Sequence, residues 1–135
     1  MIRNGASSIL VVGAGPVGLV TAIALREQGL PVRVIDSQAA DTKRTYPAVL
    51  HPRTLRILSS LGMKALLEWR GHHIRRLALY TEGIRRATLE LPAAGEPAPG
   101  AMTLPQDLLR QALMQRLSEL GTLVEWQTRL RSLAQ

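Results

Sequence analysis

The spacing of apolar positions changes twice within the first 36 residues, which predicts a strand, a helix and a second strand. Residues 9–12 form an unbroken apolar run, as a buried parallel strand requires. Over residues 16–28 the apolar side chains recur at helical spacing, with Leu19, Ala22 and Ile23 on one face. A second apolar run at residues 32–35 ends at Asp36. This order predicts a βαβ unit.

Three glycines separate the first strand from the helix at the spacing G-x-G-x-x-G. Gly13 permits a tight turn, Gly15 lets the backbone approach a pyrophosphate, and Gly18 lets the helix pack closely on the strand. The N–H groups and the positive dipole end at this helix start attract phosphate oxygens. In this context the pattern favours dinucleotide binding over a plain strand-to-helix connector. The candidate cofactor-binding residues of the turn are Gly13, Ala14, Gly15, Pro16, Val17 and Gly18.

Asp36 follows the second predicted strand, 23 residues after Gly13. This interval is close to the ~20 residues expected for an acid that binds a ribose hydroxyl. A carboxylate accepts hydrogen bonds from a ribose diol and repels a 2′-phosphate. The residues therefore favour a cofactor with an unphosphorylated adenosine ribose, such as FAD or NAD, over NADP.

The remaining chain continues the alternation of helices and strands. Residues 37–50 predict a long loop, and residues 92–101, rich in Pro, Gly and Ala, predict a surface connector. Helices are predicted from Pro52 to Gly62, over residues 64–69 and over residues 106–120; β-like stretches occupy residues 73–81, 84–91 and 123–127, the first two forming a hairpin. The predicted fold is α/β, a single Rossmann-type βαβ domain over residues 1–135 with a parallel sheet and a partial β-hairpin layer.

Composition narrows the possible functions. The net charge is +7, but the 15 arginines are scattered and no aromatic residues alternate with them, which argues against nucleic-acid binding. With no cysteine there is no disulfide, thiol nucleophile or thiolate metal site. The three histidines lack metal-ligand spacing, and no G-x-S-x-G elbow is present. We expect a soluble, cytoplasmic protein with no membrane span, no metal and no catalytic residue of its own.

Three blocks of the sequence resemble the N-terminal FAD-binding part of the class A FAD-dependent aromatic-ring monooxygenases, the p-hydroxybenzoate hydroxylase-like enzymes. They are VVGAGPVGLVTAIALREQGLPVRVID, AVLHPRTLRILSSLGM and LPQDLLRQALMQRLSELG. The first block would fit many FAD and NAD proteins. The second and third, at these separations, are much more specific to this family.

The resemblance implies site residues as well as a fold. The acid matching Asp36 binds the adenosine ribose of FAD in that family, and the glutamine matching Gln106 contacts the flavin side near the ribityl chain. Family arginines that help to hold FAD correspond here to Ser37 and Tyr46. Arg44 lies two residues from the latter and is the candidate for this contact, or else a solvated loop charge.

The resemblance also implies an activity for a longer protein. Family members use NAD(P)H to reduce FAD and hydroxylate phenolic or other aromatic substrates, but the later family motifs that contact FAD and NAD(P)H have no counterpart in this sequence. We therefore expect the chain itself to be inactive and to associate with a missing C-terminal part. An NAD-binding dehydrogenase module and a non-catalytic remnant are the alternatives.

Overall fold

The chain divides into two compact units in the computed structural model, which describes residues 9–40, 46–91 and 100–134. Unit 1 comprises Met1–Thr45 and Gln106–Gln135, and unit 2 is Tyr46–Pro105. The single functional domain over residues 1–135 stays a prediction, since a division by contacts does not decide whether two units act together.

The described residues form eight strands and four helices. In chain order they are β1 (Ile9–Val12), α1 (Pro16–Glu27), β2 (Val32–Ile35), β3 (Pro47–Leu50), α2 (Pro52–Leu58), a π-helical turn (Ser59–Met63), α3 (Lys64–Arg70), β4 (His72–Ile74), β5 (Arg76–Thr81), β6 (Ile84–Glu90), β7 (Ala101–Pro105), α4 (Gln106–Glu119) and β8 (Val124–Glu125).

Unit 1 is built on a three-stranded parallel sheet of order β1-β2-β8. Ile9 is in register with Val32, and Val34 with Val124. The predicted α/β fold with a parallel sheet is confirmed, and the boundaries of β1, α1 and β2 differ from the predicted ones by no more than one residue. Strand β8 is shorter than predicted, two residues rather than five.

Helices α1 and α4 pack against each other in unit 1. Their buried side chains are Leu19, Ala22, Ile23, Leu109, Leu113 and Leu117. Burial of each large side chain among these stabilises the unit by about 1.5–3 kcal/mol. Arg26 links the last turn of α1 to the end of α4, because its Nε and Nη2 groups donate to the Leu120 carbonyl at 3.3 and 2.8 Å.

Unit 2 contains an antiparallel sheet of order β3-β7-β4 and the separate two-stranded hairpin of β5 and β6. The predicted hairpin around Glu82 and Gly83 is confirmed. The predicted loop over residues 37–50 is wrong at its end, where β3 forms, and Ala101 begins β7 rather than ending a connector. Residues 41–45 and 92–99 of those two segments lie outside the described residues. In the described part of the chain, no helix is long and apolar enough to cross a membrane.

Candidate functional site

The turn after β1 adopts a conformation that depends on glycine at two positions. Gly13 has φ +105°, in the region that side chains disfavour, while its N–H donates to the Ile35 carbonyl at 2.8 Å. At Gly18, an added Cβ would overlap the carbonyl oxygen of Gly13. Glycine at these positions therefore lets α1 begin directly against the end of β1.

Gly15 differs from Gly18 because the space beside it is open. No heavy atom lies within 4 Å of the position that a Cβ would occupy, and its φ of −75° is one that any residue can adopt. The fold itself thus does not require glycine here. A ligand that approaches the backbone closely would require it.

The first turn of α1 has no side-chain cap. Pro16 has no N–H to donate, and the Leu19 N–H bonds to the Gly15 carbonyl at 3.0 Å. No acidic residue lies in the first turn itself, so the N–H groups that begin the helix have no side-chain acceptor from within it. An anion placed before Pro16 would be stabilised by the helix dipole.

The carboxylate of Asp36 accepts hydrogen bonds from two backbone amides. The Ala14 N–H donates to Oδ2 at 2.7 Å, and the Gln38 N–H donates to Oδ1 at 2.8 Å. The main chain of Asp36 is also fixed, since its N–H donates to the Glu125 carbonyl at 3.0 Å and its carbonyl accepts from the Thr128 N–H at 2.9 Å. Asp36 therefore links the glycine turn to the carboxyl ends of β2 and β8.

A cleft of about 240 Å³ lies over this turn within unit 1. The turn and Asp36 form one side of it, and the start of α4 contributes the other. The lining residues are Ala14, Gly15, Pro16, Asp36, Gln38, Gln106, Asp107 and Arg110. The structure thus brings together five of the predicted cofactor-binding residues, from the glycine turn, the acid and the glutamine.

Three lining residues were not predicted as site residues: Gln38, Asp107 and Arg110. Arg110 donates from Nη2 to the Ala40 carbonyl at 3.2 Å, and its guanidinium lies 5.7 Å from the centre of the Trp126 ring. It follows Gln106 by four positions, so helical spacing alone places both on one face. Asp107 has a buried Oδ1 that has no hydrogen-bond partner in the described residues.

Four predicted site residues are not among those that line the cleft. Arg44 falls within residues 41–45, outside the described residues, so its position is not described. Gly13, Val17 and Gly18 belong to the predicted turn but do not line the cleft. Among the described residues, no three His, Asp or Glu side chains are grouped so that they could hold a metal ion.

An ion pair joins β2 and β8. The Arg33 guanidinium donates to both oxygens of Glu125, at 2.9 and 2.8 Å. This hydrogen bonding is the main cause that lowers the pKa of Glu125 below its ordinary value and raises the pKa of Arg33. Both side chains are roughly half exposed, so solvent weakens the pair.

Residues 6–135 match the family model described as FAD binding domain. Among curated proteins, 6-methylpretetramide 4-monooxygenase of Streptomyces rimosus is 30% identical over 120 residues, which is 87% of this chain and 22% of that protein. The 6-hydroxy-3-succinoylpyridine 3-monooxygenase HspB of Pseudomonas putida is 30% identical over 122 residues, 83% of this chain and 29% of that protein. The chain thus spans less than a third of the length of these relatives.

Solved structures share the fold. PqsL of P. aeruginosa, in complex with 2-aminobenzoylacetate, superposes with a TM-score of 0.80 at 21% identity, over 94% of this chain and 35% of that chain. The p-nitrophenol 4-monooxygenase PnpA of Pseudomonas putida gives a TM-score of 0.77 at 23% identity, over 89% of this chain and 31% of that chain.

Proposed function

Since this chain belongs to the FAD binding domain family, we propose that it is the FAD-binding segment of an NAD(P)H-dependent monooxygenase that hydroxylates phenolic or other aromatic substrates. One observation carries the proposal. The glycine turn, Asp36 and Gln106 line a single cleft, although Gln106 is 70 residues from Asp36 in sequence. The curated relatives named above are a 6-methylpretetramide 4-monooxygenase and a 6-hydroxy-3-succinoylpyridine 3-monooxygenase, and the pyridine ring in the name of the second supports the substrate class.

The residues of the cleft fit the adenosine and pyrophosphate half of FAD. The uncapped start of α1 attracts the pyrophosphate, and the open space beside Gly15 lets it approach the backbone. The Ala14 N–H is donated to Asp36, so it is not free for a phosphate oxygen. Within the cleft, the phosphate contact would therefore come from the N–H group of Gly15, with Ala14 and Pro16 in the wall. Val17 and Gly18 do not line the cleft, and their N–H groups at the start of α1 stay proposed contacts for a ligand that extends beyond it.

Asp36 retains acceptor capacity for the ribose. A carboxylate offers about four lone-pair sites, and the two backbone amides use two of them. The other sites can accept from the 2′- and 3′-hydroxyls, whereas a 2′-phosphate would be repelled. Asp107 adds a second acid to the same cleft and strengthens this preference for an unphosphorylated ribose.

Gln106 is proposed to contact the flavin side of FAD, from the start of α4. FAD, when bound, supplies the redox chemistry of the enzyme, and the protein supplies position and polarity. Arg44 stays a proposed contact on the strength of the family resemblance alone. A cytoplasmic location and an aromatic substrate are likewise proposals for the whole enzyme.

The cleft is too small to enclose a complete dinucleotide. Its volume of about 240 Å³ lies below the ~300–1,000 Å³ of typical ligand pockets. We therefore expect the isolated chain to bind the adenosine half, to gain little affinity from the flavin ring, and to have no hydroxylase activity, because a productive site must exclude water.

Calorimetric titration of the isolated chain with ADP, FAD and NAD tests the proposal. We expect ADP and FAD to bind with dissociation constants within about tenfold of each other, a difference below about 1.4 kcal/mol. Tight binding of NAD without FAD would instead identify a dehydrogenase module, and failure to bind any of the three would identify a remnant. Hydroxylation of phenol by the chain with FAD and NADH would refute the proposed dependence on further segments.

A further inference from the structure

Arg110 is the only basic residue among the described residues that line the cleft. Two acids, Asp36 and Asp107, line the same cleft. Their carboxylates would repel a pyrophosphate, which is itself an anion, unless a cation lay beside them. The start of α1 supplies only about half an elementary charge. An anionic ligand in this cleft would therefore depend on the full charge of Arg110.

Two contacts outside the cleft lining hold the half-buried side chain of Arg110. Its Nη2 group donates to the Ala40 carbonyl at 3.2 Å. Its Cζ atom lies 5.7 Å from the centre of the Trp126 ring, within the ~6 Å range of a cation–π interaction. An arginine that is already held in this way loses less conformational entropy on binding a ligand than a mobile surface arginine does.

The shape of the guanidinium suits a double role at this position. It carries five N–H donors in a planar fork, so an arginine that donates to a carbonyl can also donate to a phosphate oxygen. Its flat face can lie against an aromatic ring while its edge donates hydrogen bonds. A lysine ammonium, which is a compact point charge, offers neither combination.

We propose that Arg110 is the residue that binds the pyrophosphate through its side chain, and that Trp126 is a positioning residue that holds the Arg110 guanidinium at the cleft. The inference rests on the proposed function and names the cation that the site uses. Arg110 shares the cleft with Gly15 and Pro16 at the start of α1. It therefore adds a full positive charge to the backbone contact proposed for Gly15.

A purely structural role for Arg110 would have a different consequence. Its contacts join α4 to Ala40 and to Trp126, so its loss could simply loosen unit 1 around the cleft. Loosening would weaken all ligands of the cleft alike, including adenosine, which has no phosphate. Loss of a phosphate contact would weaken only the ligands that contain phosphate, and more strongly at low ionic strength.

Calorimetric titration of Arg110→Gln with ADP, pyrophosphate and adenosine separates these two roles. We expect the dissociation constants of ADP and pyrophosphate to rise about ten- to hundredfold, because hydrogen bonds to charged groups are lost. The dissociation constant of adenosine should change less than about twofold. The effect on ADP should shrink between about 0.01 M and 1 M salt.

Two further variants complete this comparison. Arg131→Gln is the matched control, since Arg131 is exposed, does not line the cleft and carries the same charge. We expect it to bind ADP as the unmodified chain does. Arg110→Lys keeps the charge and loses the planar fork, so its ADP affinity should lie between those of the unmodified chain and Arg110→Gln.

A double-mutant cycle tests the positioning role of Trp126. Trp126→Leu should raise the dissociation constant of pyrophosphate about two- to fivefold, the range expected from loss of a cation–π contact. In the Arg110→Gln background the same substitution should have no further effect, because Trp126 acts through Arg110. Equal effects in both backgrounds would refute the positioning role.

The fluorescence of Trp126 provides a measurement on a chain that keeps Arg110, and it decides the case if Arg110→Gln does not fold. Trp69, the only other tryptophan, is 87% exposed, so Trp69→Phe leaves Trp126 as the single emitter without altering the core. In this variant we expect saturating pyrophosphate to change the Trp126 emission, since it binds the guanidinium beside the ring. Sodium chloride at the same ionic strength should not.

Three results would overturn the inference: unchanged ADP affinity in Arg110→Gln, equal weakening of ADP and adenosine in that variant, or a Trp126 emission that pyrophosphate does not change. Each of them leaves ADP binding by the unmodified chain, and with it the proposed nucleotide site, intact. Failure of the unmodified chain to bind ADP would overturn the proposed function together with the role of Arg110.

Discussion

Replacing Asp36 by Ala removes one carboxylate that serves both the fold and the proposed ligand. In the chain it holds the Ala14 and Gln38 amides at 2.7 and 2.8 Å. Hydrogen bonds to charged groups contribute about 1.5–3 kcal/mol each. These two share one partly exposed side chain and are not additive, so we expect the free energy of unfolding to fall by about 2–3 kcal/mol.

The same substitution should weaken ligand binding, by an amount that depends on whether the ligand contains ribose. Loss of the ribose hydrogen bonds costs about 1.5–3 kcal/mol, which raises the dissociation constants of ADP and FAD by about one to two decades. Because Asp36 also fixes the Ala14 amide, the glycine turn should loosen. Inorganic pyrophosphate, which has no ribose, should therefore bind Asp36→Ala more weakly than Asp107→Ala, which loses the same charge from the cleft.

Calorimetry with ADP, adenosine and pyrophosphate, together with urea denaturation, measures these effects. Asp107→Ala is the matched control, since it removes the same charge from the same cleft but no hydrogen bond to Ala14 or Gln38. If the Asp36 variant bound FAD as tightly as the unmodified chain, the ribose assignment would be wrong. If it lost ADP affinity but kept full pyrophosphate affinity, Asp36 would contact ribose without positioning the turn.

Other substitutions separate stability from binding. Gly18→Ala should lower the free energy of unfolding by more than about 2 kcal/mol in urea denaturation, because the added Cβ overlaps backbone atoms. Gly15→Ala should keep the stability and weaken ADP binding in calorimetry, since the space beside it is open. Equal stability of the two variants would contradict the packing described. Arg26→Ala should lower the unfolding free energy by about 1–3 kcal/mol, since it removes the donors to the α4 end, and an unchanged urea midpoint would count against that role. The lowered pKa of Glu125 gives stability that is present above the ordinary value of 4.5 and lost as pH falls through the lowered value. Glu125→Gln should therefore have a slightly lower free energy of unfolding at neutral pH and converge with the unmodified chain in acid; a difference in urea denaturation that did not shrink as the pH fell below 4.5 would refute the linkage.

Local patterns predicted the βαβ part of unit 1 well. Strand β1, the glycine turn, α1 and β2 are contiguous, and each has a strong signal of its own in the sequence. Gln106 became a candidate site residue only through the family resemblance, and its place in the same cleft as Asp36 was not predicted. No local sequence pattern relates Asp36 to Gln106, because they are far apart in sequence.

The features that the sequence did not predict depend on non-local pairing. Strands β3 and β7 contain prolines at their ends and only four or five residues, so neither has a clear pattern before it pairs with its partner. The amide contacts of Asp36 were missed for a related reason. These contacts depend on how the chain turns at Ala14 and at Gln38, which the sequence does not specify. A role in binding ribose was already sufficient to account for an acid at this position.

The discontinuity of unit 1 has a consequence for synthesis on the ribosome. β2 pairs with β8, yet about 90 residues, including all of unit 2, are translated between Ile35 and Glu125. At about 5–20 residues per second, this interval lasts roughly 4–18 seconds. Throughout it the edge of β2 that later pairs with β8 stays open, and an unpaired strand edge is a template for pairing with another chain.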